Sequence, residues 1–223
     1  MGIEEFALRV GHRFHQPDLL RRALTHRSHG AANNERLEFL GDSVVNCAVA
    51  LELYHKFPDL TEGELSRLRA NLVNQQSLAA VAQRFGFGGQ LLMGEGEVKS
   101  GGARRPSILA DAVEAVIGAA FLDAGFEAAR GMVRTLLGAD MDVIDPATSG
   151  KDPKTLLQEH LQGRRMALPQ YSVVATHGEA HEQLFEVECV IPELQIRSLG
   201  AGTSRRSAEQ EAARHAYELA SRA

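Results

Sequence analysis

Four carboxylates stand at helical spacings inside two stretches of this sequence that otherwise read as buried helix. Glu38 and Asp42 lie four residues apart within Glu35-Arg36-Leu37-Glu38-Phe39-Leu40-Gly41-Asp42-Ser43-Val44. Asp111 and Glu114 lie three apart and are the only charged residues between Ser107 and Phe121. Side chains three or four apart share a helix face, so each pair points one way. Ionised carboxylates in apolar surroundings cost several kcal/mol each unless a cation or hydrogen-bond donors compensate them. Two apolar helices packed with these faces together bring four carboxylates to one oxygen-rich site, the ligand set that hard cations such as Mg²⁺ or Mn²⁺ prefer. Ordinary acidic pairs on solvated faces are the alternative, and the absence of a polar face on either helix argues against it. No Ser/His/Asp or Cys/His arrangement offers another nucleophile.

The elements that must position these groups are nearly all helical up to residue 145. Apolar residues recur at three-to-four spacing over 3–10, 17–24, 34–54, 62–85, 107–124 and 127–137, and no strand is expected there. Asn33 or Asn34 serves as N-cap for the first acidic helix, and apolar residues on all sides from Leu37 to Leu53 predict that protein encloses it. Thr61-Glu62-Gly63-Glu64 reads as a capping box. His26 reads as a structural histidine in an apolar helix, and 94–102 as a glycine-rich loop. Asp145-Pro146-Ala147-Thr148-Ser149-Gly150-Lys151-Asp152-Pro153 breaks the pattern and reads as a linker. Beyond it, Asp152-Pro153 opens a helix to about Gln162, and strands are expected at 171–176, 185–191 and 195–199. Gly200-Ala201-Gly202-Thr203 should end the third strand, and Ser204 caps a last helix from Arg205 to Arg222. The expected architecture is an all-α domain over 1–146, a linker over 147–152, and a small α+β domain of order α-β-β-β-α over 153–223.

The segment from Glu35 to Val44 resembles the signature of the ribonuclease III family, and Ser107 to Gly118 resembles that family's second acidic motif. Ala23-Leu24-Thr25-His26-Arg27-Ser28 and Gly96-Glu97-Val98-Lys99-Ser100-Gly101-Gly102 extend the resemblance in the family's order. The carboxy-terminal module, with Gly202-Thr203-Ser204-Arg205-Arg206-Ser207-Ala208-Glu209-Gln210, resembles a double-stranded-RNA-binding domain. What the resemblance implies is a divalent-metal-dependent endoribonuclease, using Mg²⁺ with Mn²⁺ able to substitute. It cuts both strands of duplex RNA to leave 5′-phosphate and 3′-hydroxyl ends, and acts as a cytoplasmic homodimer in rRNA and mRNA processing. By that resemblance Glu38, Asp42, Asp111 and Glu114 hold metal, Asp42 and Glu114 are catalytic, and Glu35 and Glu62 have a substrate-related role near a catalytic valley in which the duplex lies. Gln158, Glu159, Gln162, His181, Ser204, Arg205 and Arg206 match positions that meet RNA. A non-cleaving duplex-RNA-binding protein is the alternative, and a helical hydrolase of small phosphorylated substrates is a third reading. An exposed patch including Phe39, Leu40 and Val44 is a candidate for the symmetric contact.

Composition agrees with a globular protein at 44% hydrophobic residues. The net charge of −5 argues mildly against nucleic-acid binding, because phosphate neutralisation supplies most such affinity. Residues 151–223 hold 9 Lys+Arg and 10 Asp+Glu, a net of −1, leaving −4 for residues 1–150. Binding must therefore depend on where the cations sit. Arg205 and Arg206 fall in the first turn of a helix, a poor place for cations as regards helix stability and a good one for meeting phosphate. Cys47 and Cys189 lie in apolar contexts and read as packed, reduced thiols of a cytoplasmic protein. The chain shows no apolar signal core and no membrane-spanning run.

Overall fold

The chain changes character near residue 145, with helices alone named before it and helices with three strands after it. The computed structural model describes residues 2–178 and 183–222. It falls into two units, Met1–Ser149 and Gly150–Ala223.

The first unit is helical. Helices α1 (Ile3–Arg9) and α2 (Pro17–Ala23) lead to α3 (Glu35–Lys56), followed by α4 (Glu62–Val73), α5 (Gln75–Phe85), the short α6 (Glu95–Lys99) and the long α7 (Pro106–Val143). Its core forms around α3 and α7, from Val45, Ala48, Val49 and Leu53 of one and Ala112, Val113, Val116, Ile117 and Ala120 of the other. The alanines keep the two axes close, as ridge-and-groove packing of small side chains permits. Helix α7 is broken at Ala124 and Gly125, where Gly125 takes φ +81°, a conformation glycine adopts without a Cβ penalty. That break falls between the two segments expected from periodicity.

Just before it, the side chain of Asp123 is fully buried and ties the α1–α2 connection to α7. Its carboxylate accepts hydrogen bonds from the backbone N–H groups of His15 (2.9 Å) and Gln16 (2.8 Å) and from His12 Nε2 (2.9 Å). These bonds hold its pKa down at about 2 against the cost of burial.

Three expectations for this unit need correction. The segment 62–85 is two helices: Asn74 turns to extended backbone (φ −70°, ψ 161°), and its side chain caps α5 by accepting from the Ser77 N–H at 2.9 Å. Capping chemistry at an asparagine overrode an unbroken apolar period. The glycine-rich segment is partly helical, since α6 lies within it. Helix α3 is not enclosed on all sides: Phe39, Asp42, Ser43, Cys47 and Tyr54 are exposed, so Cys47 is not a packed thiol.

In the second unit α8 (Pro153–Gly163) is capped by Asp152, whose Oδ1 accepts from Lys154 N–H at 2.9 Å. Strands β1 (Gln170–His177), β2 (Leu184–Ile191) and β3 (Ile196–Gly202) form an antiparallel meander, and α9 (Arg205–Ala220) packs across it. Ala208, Ala212, Ala213, Ala216 and Ala220 face Val187, Cys189 and Ile191 in the core. The strand does not stop at Gly200. Both Gly200 and Gly202 remain in β3 because the α9 backbone lies against them: a Cβ on Gly200 would strike Ala212 N and Ala208 O. Among the described residues, no helix is long and apolar enough to cross a membrane.

Candidate active site

Two glycines set the distance between the acidic helices. A Cβ on Gly41 of α3 would collide with the Glu114 carbonyl of α7, and one on Gly118 of α7 would meet the Leu37 carbonyl and lie 3.0 Å from Gly41 N. The helices thus cross backbone to backbone. Gly41 follows Glu38 by three residues and precedes Asp42, and Gly118 follows Glu114 by four, so the contact places the acidic faces together. Composition and periodicity did not reveal this role, and the signal was the glycines themselves, each within a turn of an acidic pair.

Ligand oxygens of Glu38, Asp111 and Glu114 lie within 4.8 Å of one another, and all three residues are half-buried. Asp42 is not a member of that group. It is exposed, and Asn46 Nδ2 donates to its Oδ1 at 3.0 Å. Its charge still acts on the site, since after burial Asp42 is the foremost cause of the shift at Glu114. Burial and the charges of Asp42, Asp111 and Glu38 together push the Glu114 carboxyl up to about 8. Burial also raises Asp111, and burial with the Asp111 charge raises Glu38. Three acids that resist ionisation, offering only oxygen donors, fit a hard divalent cation, which would relieve the same repulsion.

A polar cavity of about 390 Å³ opens beside this group, walled by His26, Arg27, Asn34, Glu35, Glu38, Glu97, Arg105, Ser107 and Asp111. His26 lies beyond the end of α2 and not within a helix, with Nδ1 2.8 Å from Ser28 Oγ, and so stands in the wall of the site. Glu35 is exposed, accepts from Asn33 Nδ2 at 3.1 Å, and lies 3.8 Å from Arg27. Arg105 pairs with Glu97 at 2.9 Å, bracing the glycine-rich segment against the start of α7. Glu62 is on α4, outside this wall, and accepts from Ser66 Oγ at 2.8 Å. The capping box of Thr61 and Glu64 is present. Arg67, on the same helix, donates to the carbonyls of Pro146 (3.1 Å) and Ser149 (3.3 Å).

In the second unit Gln158, Glu159 and Gln162 form an exposed stripe on α8, with Glu159 2.6 Å from Lys151. Ser204 spends its hydroxyl on the cap of α9, accepting from Ser207 N–H at 3.1 Å. Arg205 and Arg206 are exposed in the first turn, Arg205 being steadied by Glu209 at 2.9 Å. His181 lies outside the described residues.

The Ribonuclease-III-like family matches residues 16–141, and the double-stranded RNA binding motif matches residues 153–219. The chain is 61% identical to the Ribonuclease 3 of Ralstonia nicotianae over 222 residues, all but the whole of this chain and 87% of that protein. It belongs to the ribonuclease III family. The Ribonuclease 3 of Bordetella pertussis is likewise 61% identical, over 99% of this chain and 86% of its own. The crystallised nuclease domain of the Campylobacter jejuni ribonuclease III matches 65% of the chain and 99% of that domain, at 45% identity and a TM-score of 0.61. The helical unit is therefore a ribonuclease III nuclease domain, the second unit a double-stranded-RNA-binding domain, and the protein an endoribonuclease.

Proposed function

We propose that this ribonuclease III family member hydrolyses phosphodiester bonds in both strands of double-stranded RNA with Mg²⁺, or Mn²⁺ in its place, leaving 5′-phosphate and 3′-hydroxyl ends. The observation that carries the reading is the convergence of Glu38, Asp111 and Glu114. These three would hold the cation, with Asp42 adjacent adding negative charge and Glu114 the residue most in need of a countercharge. When bound, such an ion supplies positive charge against the phosphate and acidity to water. Glu38 and Asp42 are fixed by α3, and Asp111 and Glu114 by α7, so the chain orients the site without reorganisation. Gln158, Glu159, Gln162, His181, Ser204, Arg205 and Arg206 would engage the duplex, reading its shape in the shallow groove more than its sequence. Glu35 stands on the cavity wall facing the substrate side, while Glu62 keeps only the resemblance as support.

Cutting both strands in one encounter calls for two sites, and we propose a homodimer. The relative from Campylobacter jejuni is described as having a region involved in dimer formation in its nuclease domain. Here Phe39 is 80% exposed on α3 beside Glu38, whereas Leu40 is half-buried on the core and Val44 belongs to it, so the contact would rest on Phe39. Cytoplasmic processing of rRNA and mRNA completes the proposal, and two unpaired cysteines suit that compartment.

The test is to incubate a long RNA duplex with the protein in Mg²⁺ and in chelator, beside Glu114→Gln. Fragmentation that needs metal and that the variant loses, while still shifting the duplex in a gel, supports the reading. A protein that shifts the duplex and never cuts it is a binding module instead.

A further inference from the structure

Asn34 sits where α3 begins, in the wall of the cavity beside the acidic cluster, and is 2% exposed. Its backbone is clamped on both sides: the N–H donates to the Thr25 carbonyl at 2.9 Å, and its carbonyl accepts from the N–H groups of Leu37 and Glu38, each at 2.9 Å. The side-chain Nδ2 is buried and meets no acceptor within the protein. Buried polar groups are paired as a rule, so an orphaned donor in a wall shared with Glu38 and Asp111 calls for an explanation from what enters that cavity. Capping does not provide one, because Asn33 Oδ1, not Asn34, accepts from Glu35 N–H (3.2 Å).

An amide nitrogen donates and does not ligate metal, and its natural counterpart is an acceptor oxygen. The other donors of the wall, Arg27, Arg105 and Ser107, surround the same space. We propose that the Asn34 side chain turns its amide from this sealed position into the cavity and donates a hydrogen bond to a ribose or phosphate oxygen of the RNA strand next to the bond being cut, making this cavity a subsite for the flanking nucleotide. Asn34 is then a substrate-positioning group delivered by the same helix start that delivers Glu38. The inference rests on the hydrolase reading above.

The test pairs substrate changes with a protein change. RNA duplexes carrying one 2′-deoxyribose, or one uncharged methylphosphonate, at each position flanking the cut are cleaved in Mg²⁺ by the unmodified protein and by Asn34→Ala. One position should slow the unmodified protein about 3- to 10-fold, the size of a single hydrogen bond, and the deoxyribose and methylphosphonate arms tell which oxygen is used. Asn34→Ala should show the same loss on the all-ribose duplex and no additional loss at that position. Losses that multiply at every position would make Asn34 a brace for α3 and overturn the proposal, as would rescue of the variant by raised Mg²⁺. Should Asn34→Ala fail to fold, the substrate series on the unmodified protein decides: no flanking change costing more than about 2-fold overturns it. An unmodified protein that does not cut the all-ribose duplex refutes the hydrolase reading instead.

Discussion

Glu114 carries the largest consequence of burial among the site carboxylates, and its pKa has a measurable signature in stability. The free carboxyl ionises near 4.5 and the folded one at about 8, so between these values the native state holds a proton that the unfolded chain has released. Stability then falls as pH rises through that window, because the unfolded state binds fewer protons. In chelator, the thermal midpoint of the nuclease domain should drop between pH 5 and 8. Glu114→Gln should flatten that slope, and Mg²⁺ should raise the midpoint most at the alkaline end. A midpoint that rises with pH in chelator would contradict the electrostatics of the cluster. Asp123 predicts the opposite sign. Its stabilisation is complete above the free carboxyl's 3.8 and is lost as pH falls toward about 2. Asp123→Asn should therefore remove part of the acid sensitivity while costing about 1–3 kcal/mol at neutral pH, read by denaturant titration, since backbone donors lose their charged acceptor. Spacing told that Glu38 shares a face with Asp42 and Asp111 with Glu114, while the meeting of Glu38 with Asp111 and Glu114 comes from the helix crossing. The exposed setting of Asp42 was not legible, because a helical period tells which residues share a face but not where the neighbouring helix ends its cover.

The acidic helices work as a pair only because of their crossing. Gly41→Ala or Gly118→Ala would force α3 and α7 apart, since each Cβ meets backbone and not a flexible side-chain tip. Overpacking of this kind costs about 1–3 kcal/mol, and the displaced backbone separates Glu38 from Asp111 and Glu114. Either variant should lose thermal stability and, where still folded, need more Mg²⁺ for cleavage, in contrast to Gly96→Ala, where a Cβ meets open space and both properties should stay near those of the parent. Helix existence was readable from periodicity in this unit except at the short α6, which lies in the glycine-rich segment. What escaped were decisions made by single residues against the period: Asn74 capping a new helix in mid-run, and Gly200 and Gly202 continuing a strand because α9 presses on it. Turn-forming residue types signal a break and a close approach alike, and only the packing partner tells them apart.

At the scale of the whole chain, a net charge of −5 opposes the approach of a polyanion, so affinity for duplex RNA would depend on where individual cations sit. The proposed homodimer contact would rest on Phe39, exposed on α3 beside Glu38. Phe39→Asp should shift sedimentation toward the monomer and reduce coordinated cutting of both strands, leaving single-strand nicks, while unchanged sedimentation would move the contact elsewhere. For the RNA-binding domain, Arg205 and Arg206 stand at a helix start whose amide groups already favour phosphate, with no acidic residue in that first turn and Glu209 one turn on pairing with Arg205. Each phosphate contact contributes roughly 0.9 to the slope of log affinity against log salt on a duplex. The pair Arg205→Gln and Arg206→Gln should therefore weaken duplex binding by the full-length protein across all sequences and flatten that slope by about 1–2, measured by titration from low to physiological salt. Both arginines project from α9, whose core face is alanine packed on the sheet, so the loss should come without a change in melting temperature. A parallel drop in stability, or a slope equal to the parent's, would take these residues out of the RNA interface.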